Sequence, residues 1–319
     1  MATPLNYLRS FGPAADPLAA LGWGLIAISL AVTAIIAVLL ALAIFRHRDT
    51  DRPGTGEPLP VTRESKGMAW IYIGVGITAV VLFASTLWTV RTVTAVYSPA
   101  STPALTVDVT ARQWWWEVKY RGDDPALALT TANEIHIPTG EPVRINLASA
   151  DVIHSFWVPQ LAGKTDVIPG KNNTAWLQAE KAGDYFARCG EYCGAQHAHM
   201  EFHVIAQAPA DFAAWRRRQL AAAAAPETVE LRHGQQVFLM RCSVCHAVRG
   251  TLAGGNFGPD LTHLASRATI AAGLLANNAE NDAAWVDDAQ ALKPGSGMPA
   301  LHLPARELAD VVAYLRSLK

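Results

Sequence analysis

The sequence predicts a multi-domain membrane protein in which a two-helix transmembrane hairpin is followed by a β-sandwich domain and then an all-α domain. Three observations predict this order: two uncharged apolar runs near the front, a middle of short β-branched and aromatic runs parted by Gly and Pro turns, and a helical end built around a cysteine motif. The length agrees, because 319 residues with 51% hydrophobic content exceed one ordinary soluble domain. A formal net charge of -1 and a pI near 6.8 carry no polybasic signature, which excludes nucleic acid as a partner class.

Leu18 to Phe45 runs without a charge, and Gly67 to Val90 does so again. Each is long enough to cross a hydrocarbon core of roughly 30 Å at about 1.5 Å per residue. The loop between them, 46–66, holds Arg46, Arg48, Arg52, Arg63 and Lys66, whereas segment 1–17 has only Arg9. The loop is therefore expected in the cytoplasm, with residues 1–17 and everything after the hairpin (18–97) on the outer side. A signal peptide cut after Ala41-Leu42-Ala43 is the alternative, but the apolar stretch is far longer than a signal core.

Residues 98–210 carry the strand pattern, in Leu105-Thr-Val-Asp-Val-Thr110, Glu134-Ile-His-Ile137, Val143-Arg-Ile-Asn-Leu147 and Phe202-His-Val-Ile205. Such runs between turns predict a β-sandwich. Residues 211–228 read as a helical, then alanine-rich linker ending near Pro226. Residues 229–319 are expected to be helical: Leu231 to Arg241 leads into the cysteine motif, and Arg306 to Leu318 closes the chain with apolar Leu308, Val311, Val312 and Leu315.

All four cysteines sit in two tight pairs, Cys189/Cys193 and Cys242/Cys245. Disulfides or a four-cysteine zinc site are the plain alternatives, yet both leave the neighbouring His and Met residues without a role. The first pair lies in Cys189-Gly-Glu-Tyr-Cys193-Gly-Ala-Gln-His197-Ala-His-Met200, with His154 on an earlier loop. Two thiolates four residues apart can both bridge a pair of copper ions, while His154 and His197 supply one imidazole to each and Met200 adds a thioether. Soft sulfur and imidazole donors favour copper over hard cations. A second cysteine argues for two metals, and sharing the electron between bridged ions suits a fast relay.

With these residues, the stretch from Leu18 to Trp215 resembles cytochrome c oxidase subunit II, a two-helix hairpin followed by a cupredoxin domain with a dinuclear copper (CuA) centre. The resemblance is carried by Gln113-Trp-Trp-Trp116, His154-Ser-Phe-Trp-Val-Pro159, Lys164-Thr-Asp-Val-Ile-Pro-Gly170 and the cysteine loop. It implies that Glu191 offers its backbone carbonyl to copper and its carboxylate to a magnesium ion at the border with the catalytic subunit. It also implies that Trp114 stands beside the copper centre on the path of the electron. For Trp115 and Trp116 a packed sandwich core with an interfacial belt is as good a reading as a functional role. The family's glutamate before the second helix is replaced by Gly67, three residues ahead of Trp70, and Glu64 reads as a solvated loop carboxylate.

The second pair is Cys242-Ser-Val-Cys245-His246, in which both cysteines can form thioethers to haem and the histidine becomes the proximal ligand. Gly258-Pro259-Asp260-Leu261 and Gly297-Met298-Pro299 follow, and in that order the segment Val229 to Lys319 resembles a class I cytochrome c. The resemblance implies covalent haem c, Met298 as the sixth ligand and Pro259 as support for His246. His263 and His302 lie outside the matching loop, and Met240 is too near the motif to reach the opposite haem face. These histidines, with His136, His199, His203 and His233, read as ordinary core or surface residues.

The two spans contain no histidine, so membrane haems and the oxygen-reducing site must belong to a partner. The resemblance implies an electron-input subunit of a terminal cytochrome c oxidase in a bacterial cytoplasmic (inner) membrane. Its partners would be oxidase subunit I, other oxidase subunits, membrane lipid, and an external donor such as a cytochrome c or a quinol-cytochrome c reductase. A copper-containing nitric oxide reductase is the rival enzyme, and a copper-delivery or redox-sensing membrane protein is the non-enzymatic rival. Tethering the haem domain to the copper domain makes their encounter intramolecular.

Overall fold

The computed structural model describes residues 6–46, 66–122 and 128–319. They form two compact units: Pro17–Ser98, and the residues that precede and follow it.

The first unit is helix α1 (Asp16–Phe45) and helix α2 (Lys66–Tyr97). Leu30, Leu40, Val80 and Phe83 are exposed along them, as suits side chains that face hydrocarbon. The hydroxyls are satisfied within the helices: Thr33 donates to the Ser29 carbonyl and Thr86 to the Leu82 carbonyl, each at 2.8 Å. Helix α2 continues seven residues past Val90, the last residue of the uncharged run. Arg91 ends the apolar run but not the helix, which stops only before Ser98-Pro99, where proline disfavours helical backbone in the residue ahead of it. Arg48, Arg52, Arg63 and Glu64 lie outside the described residues.

The second unit begins with a sandwich of ten strands: β1 (Leu105–Arg112), β2 (Trp115–Tyr120), β3 (Leu129–Ala132), β4 (Glu134–Pro138), β5 (Val143–Ser149), β6 (His154–Trp157), β7 (Thr165–Val167), β8 (Asn173–Leu177), β9 (Gly183–Cys189) and β10 (Glu201–Gln207). One sheet runs β3-β2-β1-β5-β8 and the other β4-β10-β9-β6-β7. Alternation places Val107, Val109 and Ala111 of β1 and Val143, Ile145 and Leu147 of β5 on the inner face. In β9 it buries Tyr185, Ala187 and then Cys189, so the strand delivers the first thiol into the end of the core. Trp116 is fully buried against Phe156 and Phe202, with ring centroids at 5.8 and 5.2 Å, which makes it a core residue. Phe11 pins the N-terminal segment to this domain, donating from its N–H to the Gln160 carbonyl and accepting from Glu180 N–H, both at 2.9 Å.

The stretch 211–228 is not a loose tether. Helix α3 (Pro209–Gln219) packs Phe212 and Trp215 into the sandwich core, and Trp215 stacks on His136 at 4.0 Å. The alanine run beyond it lies along the last domain: Ala223 N–H donates to the Arg249 carbonyl at 3.0 Å, and Arg249 donates to the Leu220 carbonyl at 2.9 Å.

The last domain opens with helix α4 (Val229–Arg241), whose cap Thr228 accepts from Leu231 N–H at 3.2 Å. A short ribbon follows, β11 (Thr269–Ile270) with β12 (Leu275–Ala276), then α5 (Ala279–Asp287), α6 (Ala289–Leu292) and α7 (Ala305–Ser317). Helix α7 buries Val311, Val312 and Leu315 at helical spacing. It crosses α4 at Gly234, where a Cβ would stand 2.0 Å from the Asp310 carbonyl oxygen, and Phe238 meets Tyr314 at 5.7 Å beside the crossing.

Candidate copper and haem centres

Antiparallel pairing of β9 with β10 holds both ends of the cysteine loop, and Cys189 N–H donates to the Met200 carbonyl at 2.9 Å. Strand β6 pairs with β9 through Phe156 and Cys189, which brings His154, distant in sequence, beside the first thiol. The Sγ atoms of Cys189 and Cys193 are 3.8 Å apart, far beyond the roughly 2.05 Å of a disulfide. Cys189 Sγ lies 3.8 Å from His154 Nδ1 and 3.2 Å from the Glu191 carbonyl oxygen. Cys193 Sγ lies 3.5 Å from His197 Nδ1 and 3.8 Å from Met200 Sδ. The predicted donors thus converge, three of them (His154, Cys189 and Cys193) buried with ligand atoms within 4.8 Å of one another.

This donor set fits two thiolate-bridged coppers. Each thiol has its own imidazole, and both thiols face the same space. The hydrogen bond from Cys193 holds the Cys189 thiol far down, to about 3, with further help from His154 and the backbone against the cost of burial. Cys193, which keeps the shared proton, is pushed the other way by that same bond and by burial. Metal binding must therefore release that proton. Burial pulls His154 down, but its contacts with Cys189 and Asp151 outweigh this and raise it. Asp151 Oδ1, 2.7 Å from Nε2, orients the ring so that Nδ1 faces the sulfur. The Glu191 carboxylate points away and sits 3.4 Å from Lys164 Nζ at the surface.

Among the described residues the convergent donor group of Cys189 and Cys193 includes neither Cys242 nor Cys245, which line a separate cavity, and this speaks against a four-cysteine zinc site. Cys242 and Cys245 are free and, with His246 and Met298, line a cavity of about 390 Å³. His246 Nδ1 bonds the Pro259 carbonyl at 2.8 Å, which leaves Nε2 for a metal. Burial holds the imidazole below its usual range and so in the neutral, ligating form. Met298 is the only thioether among the lining residues, which include neither His263, His302 nor Met240. His263 instead bonds the Lys319 and Ala221 carbonyls, while His302 is exposed, 3.9 Å from Asp287. Two thiols, a histidine with a fixed tautomer and a thioether lining one cavity fit a c-type haem.

Residues 122–207 match the family described as cytochrome C oxidase subunit II, periplasmic domain, and residues 231–319 match cytochrome c. The chain joins a subunit II periplasmic domain to a cytochrome c domain. Cytochrome c oxidase subunit 2 of Alkalihalophilus pseudofirmus is 40% identical over 215 residues, covering 67% of this chain and 61% of the relative. The chain thus spans about three fifths of that relative's length. The alternative cytochrome c oxidase subunit 2 of Bradyrhizobium diazoefficiens is 29% identical, covering 59% of this chain and 74% of the relative. The solved periplasmic domain of subunit II of cytochrome oxidase (CoxB) of Bradyrhizobium japonicum is 28% identical, with a TM-score of 0.35, covering 38% of this chain and 96% of that one.

Trp114 lies between the copper loop of the subunit II domain and the methionine loop of the cytochrome c domain. Its Nε1 donates to the Cys193 carbonyl at 2.9 Å, and Gln113 Nε2 donates to the same oxygen at 2.7 Å. A Cβ on Gly194 would stand 3.1 Å from the indole, and one on Gly295 would stand 3.5 Å from its far edge. Trp114 and Trp115 also line the haem cavity, so the subunit II domain closes one wall of it. Arg112 lies over the Trp115 ring at 5.7 Å.

Sequence reasoning passed over Asp151, Gln113, Gln196 and Lys293. A signal existed for Asp151, an acid three residues before a ligating histidine. None of comparable force marked the others: the Gln113 partner is a backbone carbonyl 80 residues on, and Gln196 and Lys293 reach carbonyls across a domain border. The remaining histidines have protein partners: His199 with Gln196 at 2.7 Å, His203 with Asp184 at 2.8 Å, and His233 with Asp310 at 2.7 Å.

One prediction arises directly from the cavity. Met298→Ala is expected to lower the haem potential and to open a coordination position to added ligands, read by redox titration and by the visible spectrum. An unchanged spectrum and potential would assign the sixth position to another residue.

Proposed function

We propose that this chain is the electron-input subunit of a terminal cytochrome c oxidase in a bacterial cytoplasmic membrane. It would pass electrons from an external cytochrome c or quinol-cytochrome c reductase through haem c and the dinuclear copper centre to catalytic subunit I, which reduces dioxygen to water. One observation carries this reading: the Trp114 indole lines the same cavity as Met298, with its far edge toward Gly295, and is hydrogen-bonded to a copper-loop carbonyl on the other side. A storage or delivery protein has no need of such a contact between two redox sites.

When bound, the copper pair and the haem would each supply one-electron redox chemistry. His154, Cys189, Glu191 through its carbonyl, Cys193, His197 and Met200 would hold the coppers. Cys242 and Cys245 would anchor the haem covalently, with His246 and Met298 on its iron. The protein's own work is to exclude water and hold these donors still. His154 and Met200 are fully buried, and Asp151 and Pro259 fix the two imidazoles through their second nitrogen or its equivalent bond. The half-buried Glu191 carboxylate, now beside Lys164, is the group that would serve magnesium at the border with subunit I.

The test is to purify the intact membrane complex, measure its copper and haem content, and record which gas it consumes with reduced cytochrome c as donor. Two coppers and one haem c in this chain, with dioxygen consumed, are expected. Consumption of nitric oxide in place of dioxygen would move the chain to the rival enzyme class, and one copper, or zinc, would remove the relay.

A further inference from the structure

We infer that Lys293 is a positioning residue that locks the cytochrome c domain onto the copper loop and so sets the spacing of the two redox centres. The inference rests on the reading above, in which electrons cross from the haem side to the copper side by way of Trp114.

Lys293 belongs to the cytochrome c domain, five residues before Met298, yet it is only 2% exposed. Its Nζ donates to three carbonyls: Trp114 at 2.9 Å, His199 at 2.7 Å and Ala271 at 2.8 Å. An ammonium has three N–H donors and no acceptor, so these three bonds use its full capacity. A neutral amine could satisfy only two. Buried lysines ordinarily need a carboxylate partner, and here three backbone carbonyls are at hydrogen-bond distance, while burial pulls the ammonium down to about 7 against the attraction of Glu201 from farther off.

The origin of the three acceptors gives the arrangement its meaning. The Trp114 carbonyl belongs to the residue whose ring bridges the two loops. The His199 carbonyl lies within the copper loop, between His197 and Met200. The Ala271 carbonyl comes from the cytochrome c domain itself. One charge therefore ties the methionine loop, the copper loop and the bridging tryptophan to a common point.

The surrounding contacts point the same way. Gln196 Nε2 donates to the Pro294 carbonyl at 2.9 Å, next to Lys293 in the chain. Ala271 and Ala272 both adopt left-handed backbone, with φ of 54° and 60°, a region that costs a residue bearing a Cβ. That turn presents the Ala271 carbonyl to Lys293 and the Ala272 carbonyl to Glu201 N–H at 3.0 Å. Ala268 N–H donates to buried Glu134 at 2.7 Å, which extends the seam to the start of edge strand β4. The unusual backbone is thus held where one of its carbonyls accepts from Lys293 and the other crosses the border to Glu201.

The test uses the full chain in its membrane complex with both centres loaded, in wild type and in the variants Lys293→Met and Lys293→Gln. The haem-to-copper transfer rate after flash reduction, and the distance between the centres by pulsed EPR, are measured together with each centre's spectrum and potential. Both variants are expected to keep spectra and potentials, to broaden the distance distribution, and to slow transfer at least about tenfold, since small misplacements cost this much or more. Transfer at the wild-type rate with an unchanged distance would overturn the inference. Loss of either centre from both variants would also overturn it, because Lys293 would then support the centres and not their spacing. If wild type itself shows no haem-to-copper transfer, the proposed function fails, and the distance measurement still decides whether Lys293 locks the domains.

Discussion

Cys193→Ser is expected to abolish the paired copper centre while leaving the haem domain intact. Serine's hydroxyl does not ionise near neutral pH and is a hard donor, so it cannot replace a bridging thiolate. The loss falls on both metals, because Cys193 Sγ faces His197 and Met200 at 3.5 and 3.8 Å and the other thiol at 3.8 Å. Copper content should fall from two to one or fewer per chain, and the mixed-valence signal shared between two equivalent metals should disappear. Donor-driven oxygen consumption should fall to background. Haem absorption and potential should stay as they are, since Cys242, Cys245 and His246 line a separate cavity. A new buried hydroxyl left without a partner adds about 1–3 kcal/mol of destabilisation, too little by itself to unfold a domain with this much core. A variant that keeps two coppers and the delocalised spectrum would refute the bridging role.

Trp114→Phe is expected to preserve copper content, fold and electronic spectrum, yet to slow transfer between haem and copper by about a hundredfold, the scale of small losses of alignment. Phenylalanine lacks Nε1, so the bond to the Cys193 carbonyl goes. Its ring is also shorter than the indole, whose far edge is the part that approaches Gly295. Both ends of the bridge are thus lost by one change, whereas the backbone carbonyl that accepts from Lys293 remains. Flash-induced reduction with haem and copper followed separately decides the matter. Slowing on the haem side of the copper centre is expected, with onward transfer to the catalytic partner unaffected. Unchanged rates on both sides would reduce Trp114 to a packing residue.

The two substitutions differ in how far each could be foreseen. Cys193 and its neighbours were legible because their chemistry is local: a single loop of twelve residues carries both thiols, one imidazole and the thioether. The haem motif is local in the same way, with both thioether positions and the proximal ligand in five consecutive residues. Trp114 was legible only as a position in a resembling motif. Its hydrogen bond to Cys193, 79 residues on, exists because the segment joining β1 to β2 and the loop joining β9 to β10 meet at the same end of the sandwich. The segment 211–228, expected as a helical and then alanine-rich linker, starts as helix α3, and the burial of Phe212 and Trp215, three residues apart on one helix face, comes only with the sandwich they pack against.

Lys293 marks the limit of reading a chain in one dimension. It is the only lysine between Lys181 and Lys319, and next to Pro294-Gly295 it has the look of an exposed loop charge. By itself the sequence determined the apolar hairpin, the strand and helix periodicities, and which side chains can serve copper and haem, since all of these depend on residue type and short spacing. Only the tertiary structure decided that the cytochrome c domain is docked on the cysteine loop, with Trp114 bonded to that loop and lining the cavity of Met298, and with Lys293 buried in the seam. The reason is physical: Lys293 is held by backbone carbonyls, acceptors that every residue carries, so the sequence contains no partner for it until folding brings Trp114, His199 and Ala271 to one place.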